Sequence, residues 1–305
     1  MSTKCIRQSP TLPRQTQKHF FLHKGFLLIA ERAFIVYSTW HLYFNQHSVN
    51  SKFFGNSLDL FKFDLLTFVL TQSDKLNLFY VPMITEPLPK ERTPKYATYE
   101  VGCLNETLYQ LMNAEFNKDY SDISVIKKYF VKRGISLSIL SSNADETKSH
   151  FNEDNRKGYF ASAIEHYQDL VNKTLVYIDP DVGSDIGVTR RYRSNKKSYV
   201  RRLELLKVKN CLKVGDFMSY FQHLGNSNYS FEKRIADLHD CFGDWVLFVG
   251  YTRIQAGFVF VFNDEATYMD KRRIIQAYFR QYGHLKHKDK FIIYGKPPQS
   301  GGFLI

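Results

Sequence analysis

The tightest constraint on the fold is an apolar strand that runs straight into a pair of acids. Thr174–Ile178 reads as a buried strand, and the chain continues Asp179-Pro180-Asp181-Val182-Gly183. In an open α/β sheet, ligands bind in the crevice at the carboxyl ends of the strands, so acids at such an end are candidate site residues. Pro180 fixes the chain direction between the two acids, and Gly183 permits a sharp turn. Both carboxylates can then face one pocket. Asp, Pro and Gly are also what an ordinary solvated turn contains, so spacing alone leaves both readings open.

Helical and strand patterns alternate around this strand. Asn56 to Leu70 reads as a helix, with Ser57 as its cap, Asp59 near the positive end of its dipole, and Leu60, Leu65, Leu66 and Val69 as an apolar stripe. A strand at Leu76–Val81 follows, then a proline-rich loop from Pro82 to Pro94. Helices are expected at Glu106–Phe116 and Ile123–Lys132, a strand at Ile135–Leu140, a polar loop at Ser141–Asn155, and a helix at Gly158–Val171. Further on, Asp216–Gln222 reads as a strand, Ser230–Cys241 as a helix, Trp245–Tyr251 and Gly257–Phe262 as strands, Thr267–Tyr282 as a helix and Phe291–Tyr294 as a last strand. Strands alternating with helices predict an α/β protein with a mostly parallel sheet, and the two adjacent late strands predict an antiparallel hairpin. Residues 1–52 read as an extension preceding one domain over 53–305. Within that extension, Phe26–Phe44 carries Glu31, Arg32 and His41 and is too short and too charged to span a bilayer, so no membrane partner is expected.

The net charge of +12 is concentrated. Between Val188 and Val214, ten basic residues, among them Arg190, Arg191, Arg193, Lys196, Lys197, Arg201 and Arg202, face a single acid, Glu204. A basic run attracts a phosphate backbone because neutralising phosphates releases counterions, and Tyr192 and Tyr199 within it can stack on bases. A solvated loop and helix face is the alternative. Hydrophobic residues at 44% exclude a mainly disordered chain. The four cysteines, Cys5, Cys103, Cys211 and Cys241, form neither a zinc-knuckle spacing nor a disulfide framework, which suits unpaired thiols in a cytoplasmic protein. His223, at the end of the strand Phe217–Phe221, can act as a base, a ligand or a strand cap.

The run Gly55-Asn56-Ser57-Leu58-Asp59-Leu60-Phe61-Lys62, followed by the strand Leu78–Val81, resembles the opening of the bacterial 23S ribosomal RNA adenine-N6 methyltransferases of the J type, whose helix reads Gly-Asn-x-x-Asp-x-x-Lys-His. The second signature of that family is an apolar strand ending in Asp-Pro-Pro-Tyr, and Asp179-Pro180-Asp181-Val182 occupies its place. Over most of residues 53–295 the chain also resembles an uncharacterised bacterial group that combines such a start with strand-Asp-Pro-Asp-Asn-Gly and a later Tyr-Gln-His, matched here by Phe221-Gln222-His223. The resemblance implies a Rossmann-like methyltransferase fold with a seven-stranded sheet, S-adenosylmethionine as cofactor, and an aspartate and a proline carbonyl, Asp179 and Pro180, that accept hydrogen bonds from the amino group of a flipped adenine. Lys62 matches the helix lysine near the cofactor. Tyr80 to Glu86 falls where the cofactor is approached, with Glu86 as a ribose contact.

The chain departs from that pattern at Asp181 and Val182, where the family has Pro and Tyr, and no glycine occurs between Val81 and Pro89. Three functions are therefore weighed: a methyltransferase acting on nucleic acid, a phosphodiesterase holding Mg²⁺ or Mn²⁺ on Asp179 and Asp181 with His223, Lys196 or Lys197 completing the site, and a non-catalytic nucleic-acid-binding module on the same fold.

Overall fold

A computed structural model of the chain describes residues 55–83, 101–116, 118, 124–140, 151, 154–180, 182–186, 199–224, 231–285 and 291–295. Within them lie the strands β1 (Asn77–Pro82), β2 (Leu137–Ile139), β3 (Thr174–Asp179), β4 (Gly183–Ser184), β5 (Tyr199–Val200), β6 (Phe217–His223), β7 (Val246–Tyr251), β8 (Ala256–Phe262) and β9 (Phe291–Gly295). The helices are α1 (Ser57–Thr71), α2 (Glu106–Phe116), α3 (Ser124–Val131), α4 (Arg156–Gln168), α5 (Arg202–Cys211), α6 (Phe231–Phe242) and α7 (Glu265–Gln281). None of these helices is long and apolar enough to cross a membrane. The extension at 1–52 lies outside the described residues.

Seven strands form one sheet in the order β2-β1-β3-β6-β8-β7-β9, and β4 and β5 form a separate two-stranded ribbon. β2, β1, β3 and β6 run parallel. The expected late hairpin is β7–β8, with β8 inserted antiparallel between β6 and β7, and β9 adds a further antiparallel pairing on β7. The fold is thus α/β, with a sheet that is parallel at one side and antiparallel at the other.

Alternation along the strands builds two cores. Leu78, Tyr80, Leu175 and Tyr177 face a core shared with α1, α2, α3 and α7. Phe79, Val81, Val176 and Ile178 face a second core under α4, α5 and α6. Helices on both faces explain why the strands read as continuous apolar runs. Helix α1 is buried all round, with Phe61 at the centre of an aromatic cluster of Phe258, Tyr278, Phe279 and Tyr251. Its cap is Asn56, whose side chain accepts from the backbone of Leu58 and Asp59, and not Ser57 as the sequence suggests. The polar residues that α1 buries are paired; Asp64, for example, accepts from Asn105, Tyr278 and Tyr282 at 2.7–2.9 Å.

Two differences from the sequence reading bear on the site. Pro82 closes β1, paired with Asp179, where a loop is expected; its missing N–H is tolerated at the last strand position. The second half of the basic run is the packed helix α5, whose Leu205 and Val208 are buried. Lys209 and Lys213 there spend their ammonium groups on backbone carbonyls of Phe242, Gln168 and Leu170.

Candidate active site at the carboxyl ends of β1 and β3

From β1 the chain goes to β2 on one side, then returns to β3 on the other. The crevice at such a reversal lies beyond the carboxyl ends of β1 and β3, where Asp179 ends β3. Its Oδ2 accepts from Lys62 Nζ at 2.8 Å and from the Tyr80 hydroxyl at 2.6 Å, and its Oδ1 accepts from the Tyr177 hydroxyl at 3.3 Å. Lys62 also donates to Asp59 Oδ1 at 2.7 Å, and the other Asp59 oxygen accepts from Gly55 N–H at 2.9 Å. The Tyr80 and Tyr177 rings, opposite each other in the register, stack at 5.8 Å. Lys62 lies 5.3 Å from the Phe63 ring centroid and 5.8 Å from that of Phe221.

This arrangement follows from helical and strand periodicity. Asp59 and Lys62 stand three apart on one face of α1. Tyr80, Tyr177 and Asp179 lie on the sheet face that α1 covers. The result is a buried cluster of two carboxylates around one ammonium, with the Asp179 side chain 10% exposed. Burial alone pushes the Lys62 pKa down, but Asp179 and Asp59 outweigh it and hold the ammonium above its usual value. Burial raises the Asp59 pKa, with Lys62 opposing. Burial, then the charge of Asp179, raises both Tyr80 and Tyr177, which therefore stay neutral donors. The Tyr159 pKa is raised in the same way, and its hydroxyl donates to the Pro82 carbonyl at the end of β1.

Beyond Asp179, Pro180 is buried and Asp181 lies outside the described residues. The turn is then gripped by the end of β6. His223 N–H donates to the Val182 carbonyl at 2.8 Å, and Gln222 Oε1 accepts from Ser184 N–H and Ser184 Oγ, both at 3.0 Å. Gly183 has φ +126°, and a Cβ there would stand 2.6–2.8 Å from the Gln222 amide. Gly183→Ala should therefore cost roughly 1–3 kcal/mol, through an unfavourable backbone conformation and displacement of Gln222. Chemical denaturation would check it, and a variant as stable as wild type would contradict it. His223 is half-buried, and burial and then the charge of Arg234 lower its pKa, so its imidazole is neutral at pH 7.

The basic segment is rooted at this turn. Gly183 and Ser184 in β4 pair with Tyr199 and Val200 in β5, so the described residues that flank the stretch 187–198 in sequence meet at this turn. Arg156 fastens the root: its guanidinium makes a bidentate pair with Glu204 and donates to the Tyr199 carbonyl at 2.5 Å. Arg201 N–H donates to Glu204 and Arg202 N–H to Asp185, while the Arg202 side chain hydrogen-bonds Cys241. Arg190, Arg191, Arg193, Lys196, Lys197 and Glu86 lie outside the described residues.

Of the residues singled out from the sequence, Lys62, Tyr80 and Asp179 come together directly. His223 meets the same turn through its backbone. Asp59, Tyr177, Gln222 and Arg156 complete the arrangement without having been singled out as site residues. The sequence offers Asp59 as a dipole partner and as part of the Gly-Asn-x-x-Asp-x-x-Lys motif, and its three-residue spacing from Lys62 signals the pair. Among the described residues, no group of three or more His, Cys, Asp or Glu side chains is placed to hold a metal ion. No protein-family model and no curated protein matches the chain.

Proposed function

We propose that the protein is a methyltransferase-like enzyme of Rossmann-like fold that uses S-adenosylmethionine and acts on an exocyclic amine of nucleic acid, with adenine N6 as the leading target. The observation that carries this reading is the carboxylate of Asp179, held at the reversal of strand order by Lys62 and two tyrosines. The placement of antiparallel β8 between β6 and β7 supports the fold assignment, and the rooting of the basic segment beside the turn supports a polyanionic substrate.

The charge of the cluster suits the cofactor. Two carboxylates and one ammonium leave a net negative charge, complementary to a sulfonium. Lys62 and Tyr80 would line its approach, with Glu86 on the ribose. When bound, the cofactor supplies an electrophilic methyl group. Asp179 Oδ1, with its single long contact to Tyr177, accepts one N–H of the amine, and the Pro180 carbonyl accepts the other. Lys62 and Tyr80 keep the carboxylate oriented while this happens. Val182 supplies no ring for stacking, so Tyr192 and Tyr199 take that part.

A metal-dependent phosphodiesterase is less well supported, because the Lys62 ammonium, 2.8 Å from Asp179 Oδ2, already supplies the positive charge that a metal would bring to this carboxylate. One observation favours a non-catalytic binding module: three internal donors already engage Asp179. Calorimetry with S-adenosylmethionine separates the readings. The enzyme reading expects heat of binding, and none at high protein concentration would remove it. Replacing Arg190, Arg191 and Arg193 together by Ala should weaken nucleic-acid binding and flatten its salt dependence by a slope of about three, with little change in Tm. Unchanged binding would show the run to be only a solvated face.

A further inference from the structure

Arg234, in the first turn of α6, stands out among the basic residues because it is partly buried without an acid. It hydrogen-bonds a backbone carbonyl: Nη1 donates to His223 O at a long 3.3 Å. No ion pair joins it to any described carboxylate, although Asp237 follows one turn later on the same helix. Burial pushes its pKa down, and the Tyr220 and Tyr199 hydroxyls only partly offset that. A guanidinium remains charged regardless, so Arg234 is a partly desolvated cation that no carboxylate among the described residues neutralises.

Its surroundings place it at the carboxyl end of β6. His223 ends β6, next to β3 in the sheet. Tyr220 shares a hydrogen bond with Ser184, in the turn that follows Asp179. Tyr199 opens β5, where the basic segment rejoins the body. His223 is neutral here and adds no second positive charge. The arrangement presents a fork of N–H donors between the candidate active site and the root of the basic segment.

We propose that Arg234 is an anion-binding residue that receives a phosphate group, and that in the nucleic-acid reading above this is a backbone phosphate close to the target nucleotide. The proposal deepens that reading, but the phosphate site stands on its own geometry. A planar guanidinium recognises phosphate through two parallel hydrogen bonds. Partial burial strengthens those bonds, and the bound anion relieves the cost of a charge that no described carboxylate pairs.

The test compares wild type with Arg234→Gln and Arg234→Lys in two assays. In thermal unfolding at constant ionic strength, inorganic pyrophosphate should raise the wild-type Tm by roughly 2 °C or more, through binding to the folded state alone. It should leave Arg234→Gln unmoved. Without ligand, Arg234→Gln should be as stable as wild type or more so, because it removes an uncompensated charge. In a titration with a labelled single-stranded oligonucleotide, Arg234→Gln should bind about tenfold more weakly, with a salt slope reduced by about one. Arg234→Lys should keep the slope and lose part of the affinity, since it keeps the charge but not the fork.

A pyrophosphate shift without oligonucleotide binding would assign the site to a free phosphate compound and count against the nucleic-acid reading alone. No pyrophosphate shift in wild type, or an equal shift in Arg234→Gln, overturns the proposal. So does an Arg234→Gln protein that is less stable than wild type yet binds both ligands normally, because the arginine would then serve only to hold the end of β6.

Discussion

Lys62→Met should destabilise the protein by about 3–5 kcal/mol at neutral pH, the usual cost of removing one partner from a buried ion pair. The methionine fills similar volume, so the loss is electrostatic. Asp59 and Asp179 would face each other in a buried site with no counter-charge. The pH dependence separates this from a packing defect. In wild type the Lys62 pKa is raised above its unfolded value of 10.5. Its contribution is therefore complete below the unfolded pKa and is lost only as pH rises through the folded one. Across the acid and neutral range the lysine is thus a constant stabiliser. In the variant, the burial that raises the Asp59 pKa acts without Lys62 to oppose it, so Asp59 binds its proton more tightly when folded than when unfolded, and the deficit is full at neutral pH and shrinks as pH falls. Urea denaturation at pH 7 and near pH 4.5 measures both values. A deficit independent of pH would mean that Lys62 serves the fold by shape alone.

Asp179→Asn should have the opposite profile. Removing one carboxylate leaves Lys62 and Asp59 as a neutral pair, and the Asn carbonyl can still accept from Lys62 or Tyr80. Stability should change by no more than about 1 kcal/mol. Activity should fall by a factor on the order of 10²–10³ or more, because the amine loses the anionic acceptor aimed at it. Nucleic-acid binding should persist, since the basic segment is untouched. A fully active variant would show that the chemistry lies elsewhere. The non-catalytic reading expects no activity in either protein, with identical binding.

Much of this architecture was legible in the chain because each element satisfies its own periodicity. The boundaries of β3, β6, β7 and β8 fall within one residue of where alternating or continuous apolar runs place them, since strands buried on both faces are mostly apolar along their length. The acid after β3 was legible for the same reason, as the first charge after an apolar run. Helix α5 was not, because Arg201, Arg202, Lys207, Lys209 and Lys213 around Leu205 and Val208 read as a charge run, although two apolar side chains a turn apart suffice to dock a helix. The ribbon β4–β5 was also invisible: two residues carry no period, and their pairing depends on Gln222 holding Ser184 from another strand. The Lys62–Asp179 contact spans 117 positions. Without a partner sequence pattern, only the fold could bring those two residues together. Arg234 lay hidden for a related reason, since nothing in its neighbourhood of the chain says that Asp237 would not pair with it.

The most direct measurement of the central idea is methyl transfer itself. The protein would be incubated with methyl-labelled S-adenosylmethionine and single-stranded RNA or DNA of mixed sequence, and the nucleosides then separated. Label on an exocyclic amine with the wild type, and its disappearance with Asp179→Asn of unchanged Tm, is the result the proposed function predicts. A wild-type protein that binds both cofactor and nucleic acid but leaves every base unlabelled, or an Asp179→Asn protein that labels as fast as wild type, would contradict it.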